Sequence, residues 1–186
     1  MPRVNAETSL PIRFTLDGEE VSVSVTPRTL LSDALRHQLG VNAVHVGCEQ
    51  GICGACTLTI DDAPARACLT LAIQVEGARL RTARSLSPGG KPGPLAAAFA
   101  RHFALQCGFC TPGLLVALDA WLRRRPEASE AELRAVIGGH LCRCTGYQPI
   151  LAAALAARAA YRASGGGGEG GGGEGGGEKG NKENDA

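Results

Sequence analysis

The chain has 186 residues and a net charge of +1, from 19 Lys and Arg against 18 Asp and Glu. The tail from Gly165 carries five acids and two lysines, which leaves +4 on the body, too weak a charge to expect a nucleic-acid partner. No segment approaches about twenty apolar residues and the N-terminus shows no apolar stretch of signal-peptide length, so no membrane span and a cytoplasmic location are expected.

Residues 1–9 read as a loose leader. Leu10 to Asp17 alternates, with Ile12, Phe14 and Leu16 on one face, and predicts a strand. Asp17-Gly18 supplies a turn, and Glu20 to Thr26 a partner strand with Val21, Val23 and Val25 inward. Thr29 is the expected N-cap of a helix with the stripe Leu30, Leu31, Ala34, Leu35 and Leu39, stopped at Gly40. Val44 to Cys56 interleaves three cysteines with Gly47, Gly51 and Gly54, the pattern of a loop wrapped closely around something. Thr57 to Ile60, the turn Asp61-Asp62, Ala65 to Ala67, and Ala78 to Thr82 complete a small mixed sheet, with one helical turn at Leu69 to Ala72.

Ser85 to Pro94, rich in Pro, Gly and Ser, marks a domain boundary. Beyond it the period becomes helical. Leu95, Phe99, His102, Phe103 and Gln106 share one face. Leu114, Leu115, Leu118, Trp121 and Leu122 make a second stripe, running into Arg123-Arg124-Arg125 at a helix end. Ser129 with Glu132 forms a capping box ahead of Leu133, Val136 and Ile137. Pro149 opens the last helix, and four helices in so short a span predict a bundle. The Gly/Glu-rich residues 164–186 have nothing to bury and are expected to be disordered.

Eight cysteines without a secretion signal argue against a disulfide framework and for a metal or metal–sulfur site in a reducing compartment. The first four are spaced Cys48-x4-Cys53-x2-Cys56-x11-Cys68. The C-x4-C-x2-C part is the plant-type [2Fe–2S] spacing: a tight loop delivers three thiolates, a neighbouring element the fourth, and glycines expose backbone N–H groups to sulfur. Structural zinc and plain buried thiols are the alternatives. His45, Glu49 and Gln50 read as structural or loop-surface residues. The second four are Cys107-x2-Cys110 and Cys142-x-Cys144. Alone they fit zinc as well, but beside the first set they point to a second binuclear cluster. No Ser-His-Asp arrangement and no G-x-G-x-x-G is present. Asp33, Asp119 and the remaining histidines read as surface or capping groups.

The stretches Gly47-Cys48-Glu49-Gln50-Gly51-Ile52-Cys53-Gly54-Ala55-Cys56-Thr57, Gln106-Cys107-Gly108-Phe109-Cys110-Thr111-Pro112-Gly113 and Leu141-Cys142-Arg143-Cys144-Thr145-Gly146-Tyr147 closely resemble the iron–sulfur subunit of the molybdenum hydroxylases. This is the xanthine dehydrogenase, aldehyde oxidoreductase and carbon monoxide dehydrogenase family. The resemblance implies an α+β fold: a ferredoxin-like β-grasp domain over residues 10–86, then a four-helix-bundle [2Fe–2S] domain over 94–163. It implies that Cys48, Cys53, Cys56 and Cys68 hold one cluster and Cys107, Cys110, Cys142 and Cys144 the other. Gln106 and Cys144 would also touch the pterin of a molybdenum cofactor on a large partner subunit. The helical-domain cluster would lie nearer that cofactor. The ferredoxin-like cluster would face FAD on a medium subunit, or an external acceptor. His140 stands where many relatives have Asn, altering only contacts behind the ligand loop. The implied role is electron transfer for a partner that hydroxylates an aldehyde, a purine or an N-heterocycle. Carbon monoxide oxidation is an alternative within the family, and a free-standing two-cluster carrier is an alternative outside it.

Overall fold

A computed structural model describes residues 5–164. The expected disordered tail therefore falls almost entirely outside the described residues.

β1 (Leu10–Leu16) buries Ile12, Phe14 and Leu16 as its alternation dictates. It turns at Asp17 and Gly18, both at positive φ (51° and 95°), as a tight hairpin matching strand twist demands. β2 (Glu19–Val25) pairs antiparallel to it. Val25 is buried, whereas Val21 and Val23 are only half-buried, because β2 is an edge strand. A second hairpin joins β3 (Thr57–Ile60) to β4 (Ala63–Arg66) through Asp61 and Asp62, again both left-handed. β5 (Arg79–Arg81) slots between the hairpins, parallel to β1 and antiparallel to β3, giving the order β2-β1-β5-β3-β4. This is a β-grasp sheet.

The helix expected across it is shorter and wider than the stripe predicts. α1 (Leu31–Asp33) passes directly into a π-helical turn over Ala34–Gln38. Thr29 does not cap it; its hydroxyl instead accepts from the Thr26 N–H, closing the turn before the helix. Leu31, Ala34 and Leu35 are fully buried against the sheet with Val44, Leu58 and Leu80.

Two short 3-10 turns, Ala83–Leu86 and Pro88–Gly90, lead to α2 (Pro94–Arg101). α3 (Thr111–Arg124), α4 (Glu130–Gly138) and α5 (Gln148–Ser164) complete a four-helix unit. Its separate core gathers Leu95, Phe99, Leu114, Leu118, Leu122, Leu133 and Ile150. The face predicted to run from Leu95 to Gln106 stops at Arg101. Phe103 takes a positive φ of 51°, the Ala104 N–H bonds back to the Phe99 carbonyl, and Phe103 swings out to 81% exposure. Asp119, expected at the surface, is instead buried in α3.

Candidate metal centres

The structure gathers the eight cysteines into two groups of four, each built as two pairs. Cys56 and Cys68 bring their Sγ atoms to 3.4 Å, and Cys107 and Cys144 to 3.5 Å. Both separations are far too long for a disulfide, and all eight cysteines are free thiols. Cys48 and Cys53 form the remaining pair of the first group, with the Cys53 N–H donating to Cys48 Sγ at 3.3 Å. Cys110 and Cys142 form that of the second. Each group has an inner pair, buried, and an outer one. Cys56 with Cys68 and Cys110 with Cys142 are inner; Cys107 and Cys144 are exposed and Cys48 and Cys53 half-buried.

Local sequence explains the placement. Gly51 and Gly54 adopt φ of 77° and 76°, which bends the first loop around its thiols. Cys56 and Cys68 are carried in by the flanks of β3 and β4. Cys110 is the N-cap residue of α3, so the positive end of a 14-residue helix faces the second group. Cys142 and Cys144 lie on the loop between α4 and α5, where the Tyr147 hydroxyl accepts from the Cys142 N–H at 2.9 Å.

The electrostatics show what these groups require. Backbone N–H groups of Cys53 and Gln50 lower the Cys48 thiol to about 7. Burial, with Cys56 alongside, raises Cys68 to about 11. Burial likewise pushes Cys110 up to about 12, with Cys142 adding to it. The Cys107 side chain raises Cys144. Burial alone would raise Cys142 too, but hydrogen bonds from Thr145 win and hold it low. Four thiolates in so small a space repel one another and need cations to offset their charge.

The donor set fits binuclear iron. A single tetrahedral zinc needs its ligands to converge on one point. Two irons that each take one thiol pair need the two-by-two arrangement seen here. A cavity of about 200 Å³ opens among Cys53, Cys107, Cys110, Cys142 and Cys144. Thr111 Oγ1, beside Cys110, is buried without a hydrogen-bond partner among the described residues.

The two halves of the chain match two family descriptions: "2Fe-2S iron-sulfur cluster binding domain" over residues 14–79 and "[2Fe-2S] binding domain" over 82–155. The gamma subunit of caffeine dehydrogenase from Pseudomonas sp. (strain CBB1) is 49% identical, covering 75% of this chain and 86% of the relative. The small subunit of nicotine 6-hydroxylase from Paenarthrobacter nicotinovorans is 45% identical, covering 77% and 87%. The chain is also similar to the solved quinoline 2-oxidoreductase from Pseudomonas putida 86, with a TM-score of 0.80 and 46% identity, over 83% of this chain and 97% of that one. The chain belongs to the iron–sulfur subunits of the molybdenum hydroxylases. This iron–sulfur subunit is an electron-transfer component of a multisubunit oxidoreductase, with one [2Fe–2S] domain in each half. The zinc reading of the cysteines is thereby set aside. Among the described residues no helix is long and apolar enough to cross a membrane.

The interface between the two domains is built by residues whose partners the sequence does not show. His45 Nδ1 meets the Phe109 carbonyl at 2.7 Å, and its ring stacks on Phe109 with centroids 4.9 Å apart. The Leu141 N–H donates to the Cys53 carbonyl at 2.9 Å, linking the residue before Cys142 to the first loop. His140 is buried, with Nε2 at 3.1 Å from the Thr57 hydroxyl, and Arg66 joins the same cluster. Burial foremost, with Arg66 close by, lowers His140 to about 4. Arg81 reaches Asp119 at 3.2 Å, where Arg123 and the Tyr161 hydroxyl also converge. In each case one partner lies in the other domain, so no local pattern marks it; only the placement of His45 and His140 beside cysteines is visible in the sequence.

Proposed function

We propose that this subunit docks on a large molybdenum–pterin subunit through the face around Cys107 and Cys144, and serves a flavin-bearing medium subunit from the side around Cys48. Cys48, Cys53, Cys56 and Cys68 hold one [2Fe–2S] cluster within a domain spanning 10–86. Cys107, Cys110, Cys142 and Cys144 hold the other within 94–163. Gln106 and Cys144, both exposed, reach the pterin edge. When bound, the clusters supply one-electron donor and acceptor chemistry, which lets a two-electron oxidation on the partner drain in single steps. The chain's own residues fix the two thiol groups relative to each other, cover the inner pairs from water, and leave one pair of each group near the surface. The link from Cys142 through Leu141 N–H to the Cys53 carbonyl supports coupling between them.

One observation carries the reading. Every large apolar side chain exposed among the described residues lies within four residues of a cysteine: Phe103, Leu105, Phe109 and Leu141 by the second group, Ile52 and Leu69 by the first. Apolar patches at both thiol groups are what protein-facing entry and exit points require. Phe103 holds a left-handed backbone conformation unfavourable for a bulky residue, a local strain that points to a partner surface. The relatives named for caffeine, nicotine and quinoline support an N-heterocycle as the substrate of the partner. Eight free thiols support a reducing, cytoplasmic setting.

Anaerobic purification with iron, sulfide and EPR analysis tests this. About four iron and four labile sulfide per chain, two distinguishable reduced signals and a co-purifying large subunit are expected. Zinc without labile sulfide would overturn the cluster assignment. Intact clusters on a chain that never captures a large subunit would favour a free-standing carrier.

A further inference from the structure

Arg66 ends β4, two residues before Cys68, and its guanidinium leaves its own domain. Nη2 donates to the Gly139 carbonyl at 2.7 Å, at the C-terminal end of α4. Cations favour that end of a helix, and Gly139 lies three residues before Cys142. Nε points back to the Gly51 carbonyl at 3.4 Å, two residues before Cys53. Nη1 meets the hydroxyl of Thr57, the neighbour of Cys56, and lies 3.3 Å from His140 Nε2. The Val136 carbonyl faces His140 Nδ1 at 3.2 Å, so Nδ1 carries the ring proton and Nε2 is left to accept. A neutral, accepting imidazole is what a half-buried guanidinium edge needs beside it. One cation thus touches segments flanking thiols of both groups, and only an arginine fork has the donors to do so.

We propose that Arg66 is a positioning and tuning residue shared by the two cluster sites: its fork fixes one ligand loop against the other, and its permanent charge favours the reduced state of both. The inference rests on the two-cluster reading above. Each one-electron reduction adds one negative charge to a site that already gathers four thiolates. A fixed, partly desolvated cation in contact with segments that flank both sites stabilises the added charge in both. Charge and fork are separable. Lysine keeps the first and loses the second; glutamine loses the charge.

The test is a potentiometric EPR titration of the anaerobic full-length chain in its complex, as wild type, Arg66→Gln and Arg66→Lys, with iron and sulfide assayed in each. Arg66→Gln should lower the reduced-to-oxidised ratio of both signals at a given potential by about threefold to tenfold, tenfold being about 59 mV for one electron. Arg66→Lys should hold both ratios within about twofold while altering the magnetic interaction between the two reduced centres, because the fork is gone. Unchanged midpoints in a fully loaded Arg66→Gln chain would overturn the tuning role. A shift confined to the first signal would reduce Arg66 to a neighbour of Cys68. Should Arg66→Gln lose its clusters, Arg66→Lys decides alone, and wild-type magnetic coupling there would overturn the shared positioning role. Absence of iron and sulfide from the wild type is a separate outcome, and sinks the cluster reading itself.

Discussion

A methyl group at Gly113 would run into the carbonyl oxygen of Gly54, which is backbone of the facing domain and has no room to yield. Gly113→Ala is therefore expected to cost about 1–3 kcal/mol, read as a lower thermal midpoint of the loaded chain. Gly18 is the contrast: a Cβ there meets nothing, and only the φ of 95° resists it. Gly18→Ala should cost about 1 kcal/mol and leave iron content whole. Cys144→Ser removes one thiol of the exposed outer pair. The signal of the helical-domain cluster should be lost or altered while the other persists, and an EPR spectrum with both signals unchanged would sink the pairing. At this scale the gathering of the cysteines into two groups of four was legible, because short, local spacings bring each pair together. The loop glycines were legible as close approach, though what they approach was not. Gly47 faces Phe109 as well as Cys53 Sγ, and Gly54 faces His140 and Gly139, so both seat a second domain. Arg66 went unmarked, His45 was read as structural without its partner, and Asp119 was read as a surface group, because their partners are distant in sequence.

Among elements, α4 shows how local chemistry sets a boundary. Ser129 Oγ accepts from the Glu132 N–H, and the Glu132 carboxylate accepts from the Ser129 N–H at 2.8 Å. Ser129→Ala should cost about 1 kcal/mol in unfolding experiments. Those bonds from Ser129 hold the Glu132 carboxyl below its ordinary value. Its contribution is present above the ordinary carboxylate range and fades as pH falls through the lowered value. The gap between wild type and Ser129→Ala should accordingly narrow in acid. α3 and β5 meet at a buried charge. Asp119, with 6% of its side chain exposed, takes Arg81, Arg123 and the Tyr161 hydroxyl. Asp119→Ala would strand these groups and should cost about 2–3 kcal/mol by denaturant titration, discounted because the arginines keep some solvent. Asp119→Asn, which keeps an acceptor for Tyr161, should cost less. The helices with caps and full stripes were readable. The turn over Ala34–Gln38 was not, because apolar spacing does not distinguish an α from a π bonding pattern. Nor was the early stop of α2, where the left-handed Phe103 overrides an apparently continuous face.

At the scale of the molecule, two cores and all eight thiols lie within residues 12–161. Removal of residues 165–186 should leave iron, sulfide and thermal midpoint unchanged; loss of either cluster would show that the tail takes part in assembly. The two-domain order was legible because strand-period and helix-period patterns occupy separate halves of the chain. The way the halves close on each other was not, since it depends on glycine backbones, one guanidinium and two imidazoles meeting across a seam. That seam also has a consequence in time. The β-grasp strands and Cys48 to Cys68 leave the ribosome well before Cys144, and at about 5–20 residues per second several seconds separate them. During that interval the Gly54 and Thr57 surface stands bare, awaiting α3 and the loop after α4. Maturation thus has a built-in direction: the N-terminal half forms first and becomes the mould against which the C-terminal half is cast.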